Sequence, residues 1–86
     1  MRKHNRLTEI CKGLGSKYKI AVIDQEKVIY RDFFNGYDVE ICIKPRSRTV
    51  IYLWKDKREI VNIREAVGLE QIGEVVEDLY RRTGGL

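Results

Sequence analysis

The stretch IKPRSRTVIYLWKDKREIV, residues 43–61, holds the residue types in this chain best suited to recognition chemistry. Lys44, Arg46 and Arg48 precede an apolar, aromatic run, and Lys55, Lys57 and Arg58 follow it. Guanidinium forks and ammonium groups engage phosphate and carboxylate oxygens. If the run between them is a strand, six residues at strand rise set the two cationic groups about 20 Å apart. Phosphates could then be gripped at both ends of one strand, with specificity supplied elsewhere. The competing reading is structural: exposed turns are solvated, and lysines at sheet edges guard against edge-to-edge pairing. These six cations are the candidate partner- or phosphate-binding residues.

Other constellations carry less. Tyr30, Tyr52 and Trp54 could form a stacking platform for single-stranded nucleic acid, but aromatic residues at strand spacing more often pack a core. Asp38, Glu40 and Lys44 project from one face of a strand. In residue type that set resembles the metal site of restriction-endonuclease-like nucleases, where carboxylates hold Mg²⁺ and a lysine steadies the nucleophile. Here the residue two after Glu40 is Cys42, not lysine, and no metal site is expected. Cys11 and Cys42 form no CxxC pair, and His4 is the single histidine, so zinc lacks ligands. Both cysteines read as small buried thiols. Ser16 and Ser47 are the only serines, and neither has a histidine base nearby in sequence. No catalytic residue and no cofactor is assigned.

The elements that must position these groups follow from composition and period. With 86 residues, 35% charged and 43% hydrophobic, the chain is expected to form one globular domain, residues 1–86. No apolar run approaches the roughly 20 residues of a membrane span. The basic N-terminus has no apolar segment behind it, unlike a secretory signal, so a cytoplasmic protein with no membrane partner is expected. The net charge of +4 is distributed in blocks. Residues 1–19 carry six Lys/Arg against one acid, and residues 44–64 seven against two. Residues 20–43 and 65–86 each carry two against five. That pattern is compatible with nucleic acid and does not require it.

Leu7, Ile10, Cys11 and Leu14 make one stripe of a short helix over about residues 5–13, with Asn5 as N-cap and Gly13 and Gly15 as stops. From Tyr18 the period becomes two. YKIAVI, KVIYRDF, YDVEICIK and TVIYLWK predict four strands joined by short connectors, hence an antiparallel meander. EIVNI, residues 59–63, is a candidate fifth strand. Leu69, Ile72, Val75, Val76 and Leu79 stripe a longer C-terminal helix over residues 69–82, with Asn62 and Glu65 at capping-box spacing and Gly84-Gly85 closing it. The fold class is α+β, in the order α-β-β-β-β-α.

Asn35-Gly36 predicts a two-residue type I′ turn pairing Phe34 with Tyr37 and Arg31 with Glu40. With PRSR as a four-residue loop, Val28, Tyr30, Val39, Ile41, Ile43, Val50, Tyr52 and Trp54 then share a core face. The opposite face keeps Ile20, Val22, Ile29, Cys42, Ile51 and Leu53, so both faces need a cover: a helix on each, a second copy, or a partner. An odd loop at PRSR would turn Tyr52 and Trp54 over.

Helix–strand order invites comparison with double-stranded-RNA-binding domains, but their signatures are missing, and Glu70, Glu74, Glu77 and Asp78 on the last helix would repel phosphate. Small metal-independent ribonuclease toxins are similar in size and charge, yet place their helices differently. The expected function is a small non-catalytic binding module: a protein–protein interaction, inhibitor or regulator protein, phage-type in size and charge, meeting a protein partner or its own copy. The alternative is nucleic-acid binding through the basic N-terminus and the two cationic turns. A small RNase-like enzyme is the third reading.

Overall fold

The computed structural model describes residues 3–45 and 48–84, with side chains from Arg6 onward. The order is α1 (Lys3–Leu14), β1 (Lys19–Ile23), β2 (Glu26–Asp32), β3 (Tyr37–Ile43), β4 (Arg48–Lys55), β5 (Glu59–Val67) and α2 (Leu69–Arg82). The strands form one antiparallel sheet in sequence order. The α+β meander is therefore as expected, and EIVNI opens a fifth strand that runs on to Val67. Three end signals were misplaced. Gly13, expected as a stop, lies inside α1, which runs on to Leu14. Helix α1 begins before Asn5, so Asn5 is not its cap. Asn62 and Glu65 lie inside β5, and Gly68, at φ +86, stands at the N-cap of α2 instead. There Gln71 Oε1 accepts the Val67 N–H at 2.6 Å. Gly84 follows the Thr83 C-cap as expected, while Gly85 lies outside the described residues.

Two hairpins turn on left-handed pairs without glycine. Asp24 and Gln25 (φ 52 and 66) join β1 to β2, and Asp56 and Lys57 (φ 55 and 57) begin the turn from β4 to β5. An L side chain at positive φ costs about 1 kcal/mol, a cost that glycine escapes. Gln25→Gly is therefore expected to raise stability by about 0.5–1 kcal/mol in urea denaturation, less the added chain entropy of the unfolded state. A loss of stability would show that the Gln25 side chain holds the turn.

The strand register differs from expectation by one residue at two joints. Ile29 pairs with Ile41 and Arg31 with Val39, because the β2–β3 loop is three residues long, Phe34-Asn35-Gly36. Its geometry is fixed locally. Phe33 N–H donates to Tyr37 O, Asp32 Oδ1 accepts the Phe34 N–H, and Asn35 Oδ1 accepts the Tyr37 N–H. Phe34 and Gly36 take positive φ. At the next joint Ile41 pairs with Ile51 and Glu40 with Tyr52, so that loop is odd as well. The two slips cancel between β2 and β4 and turn β3 alone over. Val39 and Ile41 thus join Ile29, Ile51 and Leu53, while Glu40 and Cys42 join Val28, Tyr30, Tyr52 and Trp54.

Both helices cover the first of these faces. Leu7 and Cys11 of α1 and Ile72, Val75, Val76 and Leu79 of α2 pack with Ile29, Val39, Ile41, Ile51 and Leu53 in one core. Each fully buried aliphatic side chain contributes about 1.5–3 kcal/mol. The helices also meet each other: a Cβ at Gly13 would stand 2.7 Å from Leu69 Cδ2. Of the three covers expected for the two faces, a helix on each is ruled out, because turning β3 over collects the aliphatic residues of three strands on one side, where both helices pack.

Arg31 is buried within this layer, 4% exposed. Its Cζ lies 5.4, 5.0 and 5.2 Å from the ring centroids of Tyr18, Phe33 and Tyr80. Its Nη1 donates to Glu77 Oε2 at 2.8 Å and to Tyr18 Oη at 3.2 Å. Burial works against its charge, and the bonds to Glu77 and Tyr18 outweigh that, raising its pKa. Arg31 was expected to pair with Glu40 across the sheet; it instead ties β2 to α2.

Candidate functional site

The helix-free face carries Lys19, Ala21 and Ile23 of β1, Glu26, Val28 and Tyr30 of β2, Asp38, Glu40 and Cys42 of β3, Arg48, Val50, Tyr52 and Trp54 of β4, and Ile60, Ile63, Glu65 and Val67 of β5. On pairing alone, Ile23 and Trp54 stand at opposite corners of this face. Yet both line one cavity of about 220 Å³, together with Tyr30, Asp38, Glu40 and Lys57. The right-handed twist therefore coils the sheet until one diagonal closes. The coil accounts for Val28 and Cys42, which are buried on this face although no helix lies over them. Away from the closed diagonal the face stays open, with Ile63 and Val67 58% and 65% exposed and Ile60 beside them. A β-bulge between the Leu53 and Trp54 pairs shifts the β5 register there.

Two carboxylates stand in the cavity with different partners. Asp38 is buried and fully engaged. Tyr30 Oη donates to Asp38 Oδ2 at 2.5 Å, and Lys57 Nζ donates to both Asp38 Oδ2 and Tyr30 Oη at 3.0 Å. Lys57 Nζ also lies 3.8 Å from Asp32 and 5.7 Å from the Tyr30 ring centroid. Burial and the Asp38 bond push the Tyr30 hydroxyl pKa up. The bonds to Tyr30 and Asp38 raise the Lys57 ammonium pKa. Glu40, 9% exposed, has no such cation. Its Oε1 accepts the Trp54 indole N–H at 2.9 Å, and its Oε2 accepts the Cys42 thiol at 3.4 Å. Among the described residues no Lys or Arg stands within ion-pair distance of it.

Of the six residues expected to bind a partner or phosphate, the five that are described fall at two separate ends of β4. Lys44 is half-exposed beside a cavity of about 500 Å³ that Arg6, Leu7, Glu26, Lys27, Ile43 and Pro45 also line. Arg46 lies outside the described residues. Arg48 is exposed and pairs with Glu65 at 3.2 Å. At the far end Lys55 and Arg58 are exposed, while Lys57 folds back onto Asp38. The structure does not bring the two groups together. It does join Lys44 to the basic first helix, which no sequence spacing indicated.

Tyr30, Tyr52 and Trp54 were expected to point into the core and stand instead on the helix-free face, each partly exposed. Sequence reasoning missed Glu40 as a buried carboxylate. The signal lay in the alternation Asp38-Glu40-Cys42 opposite Val39-Ile41, read in the wrong register. Among the described residues no three His, Cys, Asp or Glu side chains converge as metal ligands, and no helix is long and apolar enough to cross a membrane. No protein-family model, curated protein or solved structure matches this chain.

Proposed function

We propose that this chain is a non-catalytic protein-binding module that meets its partner with the helix-free face of the sheet. One observation carries the reading: Ile60 and Ile63 form an exposed aliphatic ridge beside Trp54 and Tyr52, on the side of the sheet that neither helix covers, with Val67 exposed further along β5 beyond the Glu65–Arg48 ion pair. Contiguous apolar surface rimmed by polar groups marks association sites, and aromatic side chains next to it are the usual anchors. The cations nearest the ridge do not favour phosphate. Arg48 is matched by Glu65 and Lys57 by Asp38, so a nucleic-acid backbone would have to displace carboxylates to reach them.

Ile63→Asp tests this. The substitution sets a charge in the middle of an open face, where it costs the isolated fold little. Capture of a partner from an extract of the source organism is expected to fall by at least about tenfold, with the melting temperature held. Lys55→Ala with Arg58→Ala is expected to leave capture unchanged. Light scattering on the purified chain separates a second copy from a foreign partner. If Ile63→Asp retains every partner, or if the chain binds generic RNA at low salt with a log K against log[salt] slope near −0.7 per phosphate, the nucleic-acid alternative replaces this one.

A further inference from the structure

We propose that the cavity between Trp54, Tyr30 and Glu40 receives the cationic head of a lysine or arginine side chain from the protein partner, with Glu40 as its counter-charge. The inference rests on the protein-binding reading and adds what the partner must present.

The cavity combines the three requirements of such a site. Its walls are aromatic, Tyr30 and Trp54, and aromatic faces attract ammonium and guanidinium groups. Its floor holds a carboxylate that burial leaves without a cation. Glu40 receives only an indole N–H and a thiol, both neutral donors, and an ionised carboxylate in that position is stabilised most by a positive partner. Its rim already holds a group of the proposed class. The Lys57 ammonium reaches in from the β4–β5 turn to Asp38 and the Tyr30 ring, and Lys19 Nζ also lies 5.7 Å from that ring's centroid, so the Tyr30 wall accommodates such head groups while Trp54 carries none among the described residues. Lys57 satisfies Asp38 and leaves Glu40 unmatched. The ionic groups lining the cavity are Asp38, Glu40 and Lys57, two acids and one base, with Asp32 and Lys19 just beyond them at 3.8 Å from Lys57 Nζ and 5.7 Å from the Tyr30 centroid, respectively. The open aliphatic ridge on β5 lies across β4 from this cavity, so a partner seated on the ridge can send one side chain into it.

Trp54 is the only tryptophan, so its fluorescence reports on the cavity directly. The probes are Nα-acetyl-lysine methylamide and Nα-acetyl-arginine methylamide, with Nα-acetyl-norleucine methylamide as the neutral control. A saturable fluorescence change with at least one cationic probe, at millimolar concentration, is expected, and none with the neutral one. Glu40→Gln keeps an acceptor for the indole and removes the charge; it is expected to weaken the cationic probe about tenfold or more. Lys57→Met removes the internal competitor and is expected to tighten it several-fold. A merely structural cluster would not tighten. Equal responses to all three probes, or unchanged affinity in both variants, overturn the proposal. If Glu40→Gln fails to fold, the norleucine comparison and Lys57→Met decide alone. Should the probes fail while capture still depends on Ile63, the anchor is wrong and the binding face stands; should capture ignore Ile63, the face itself is wrong.

Discussion

Arg31→Ala is expected to destabilise the fold by about 3–4 kcal/mol and to lower Tm by about 12–32 °C, the scale for a buried, paired cation removed from a domain of this size. Three losses add. The guanidinium leaves a space among Tyr18, Phe33 and Tyr80, whose rings lie 5.0–5.4 Å from its Cζ. Tyr18 Oη loses its donor. Glu77 loses the ion pair that holds α2 against β2. Glu77→Gln is the control. Glu77 is half-exposed, so water replaces part of what Arg31 loses, and a smaller cost of about 1–2 kcal/mol is expected. Urea denaturation followed by Trp54 fluorescence measures both, since Trp54 is on the opposite face and is not itself perturbed. A loss below 1 kcal/mol for Arg31→Ala would mean that the aromatic box is incidental and that aliphatic packing alone docks α2.

In the native chain Cys42 is expected to react with alkylating reagents at pH 8 at least about a hundredfold more slowly than in the urea-unfolded chain, because burial both excludes the reagent and raises the thiol pKa. Burial first, then the Glu40 charge and its hydrogen bond, push the thiol from its ordinary 9.0 up to about 12. The unfolded chain therefore releases this proton near pH 9, while the folded chain keeps it. The stabilisation is complete below 9.0 and is lost as pH rises toward 12. Glu40→Gln removes the second cause and is expected to speed native labelling. A Cys11→Ser background isolates the signal, because burial raises the Cys11 thiol too. Native labelling within tenfold of the unfolded rate would show that the coiled half of the sheet opens readily and that Cys42 is not sealed beneath it.

The sequence made the architecture legible and the faces illegible, for one reason. Helix and strand follow from local period, and five of the six connectors can be placed from turn residues and apolar stripes. Which side of β3 faces the helices depends on loop parity, which is set by single residues. Asn35-Gly36 signals a two-residue turn. The side-chain oxygens of Asp32 and Asn35 capture the Phe34 and Tyr37 amides and make it three. That one residue moves Glu40 from a cross-strand partner of Arg31 to the Tyr30 side of the sheet, the second odd loop sets Tyr52 and Trp54 there with it, and Arg31 is left among the aliphatic residues that the helices cover. The cationic turns were legible as exposed ends of β4, but not that Lys57 folds back, since that depends on Asp56 and Lys57 both taking left-handed backbone.

Every strand in this sheet is hydrogen-bonded only to its neighbours in the chain. Most pairings therefore close short loops, and the entropy of loop closure grows with loop length. A ribbon of this kind can zip from any hairpin, and low contact order goes with rapid folding. Other joins span the chain: α1 against α2 at Gly13 and Leu69, Arg31 to Glu77, 46 positions apart, and Asn35 Nδ2 to Thr83 Oγ1, 48 apart. Assembly is then expected to run as a quick zippering of the meander and a slower latching of its last helix, with the guanidinium of Arg31 as the catch.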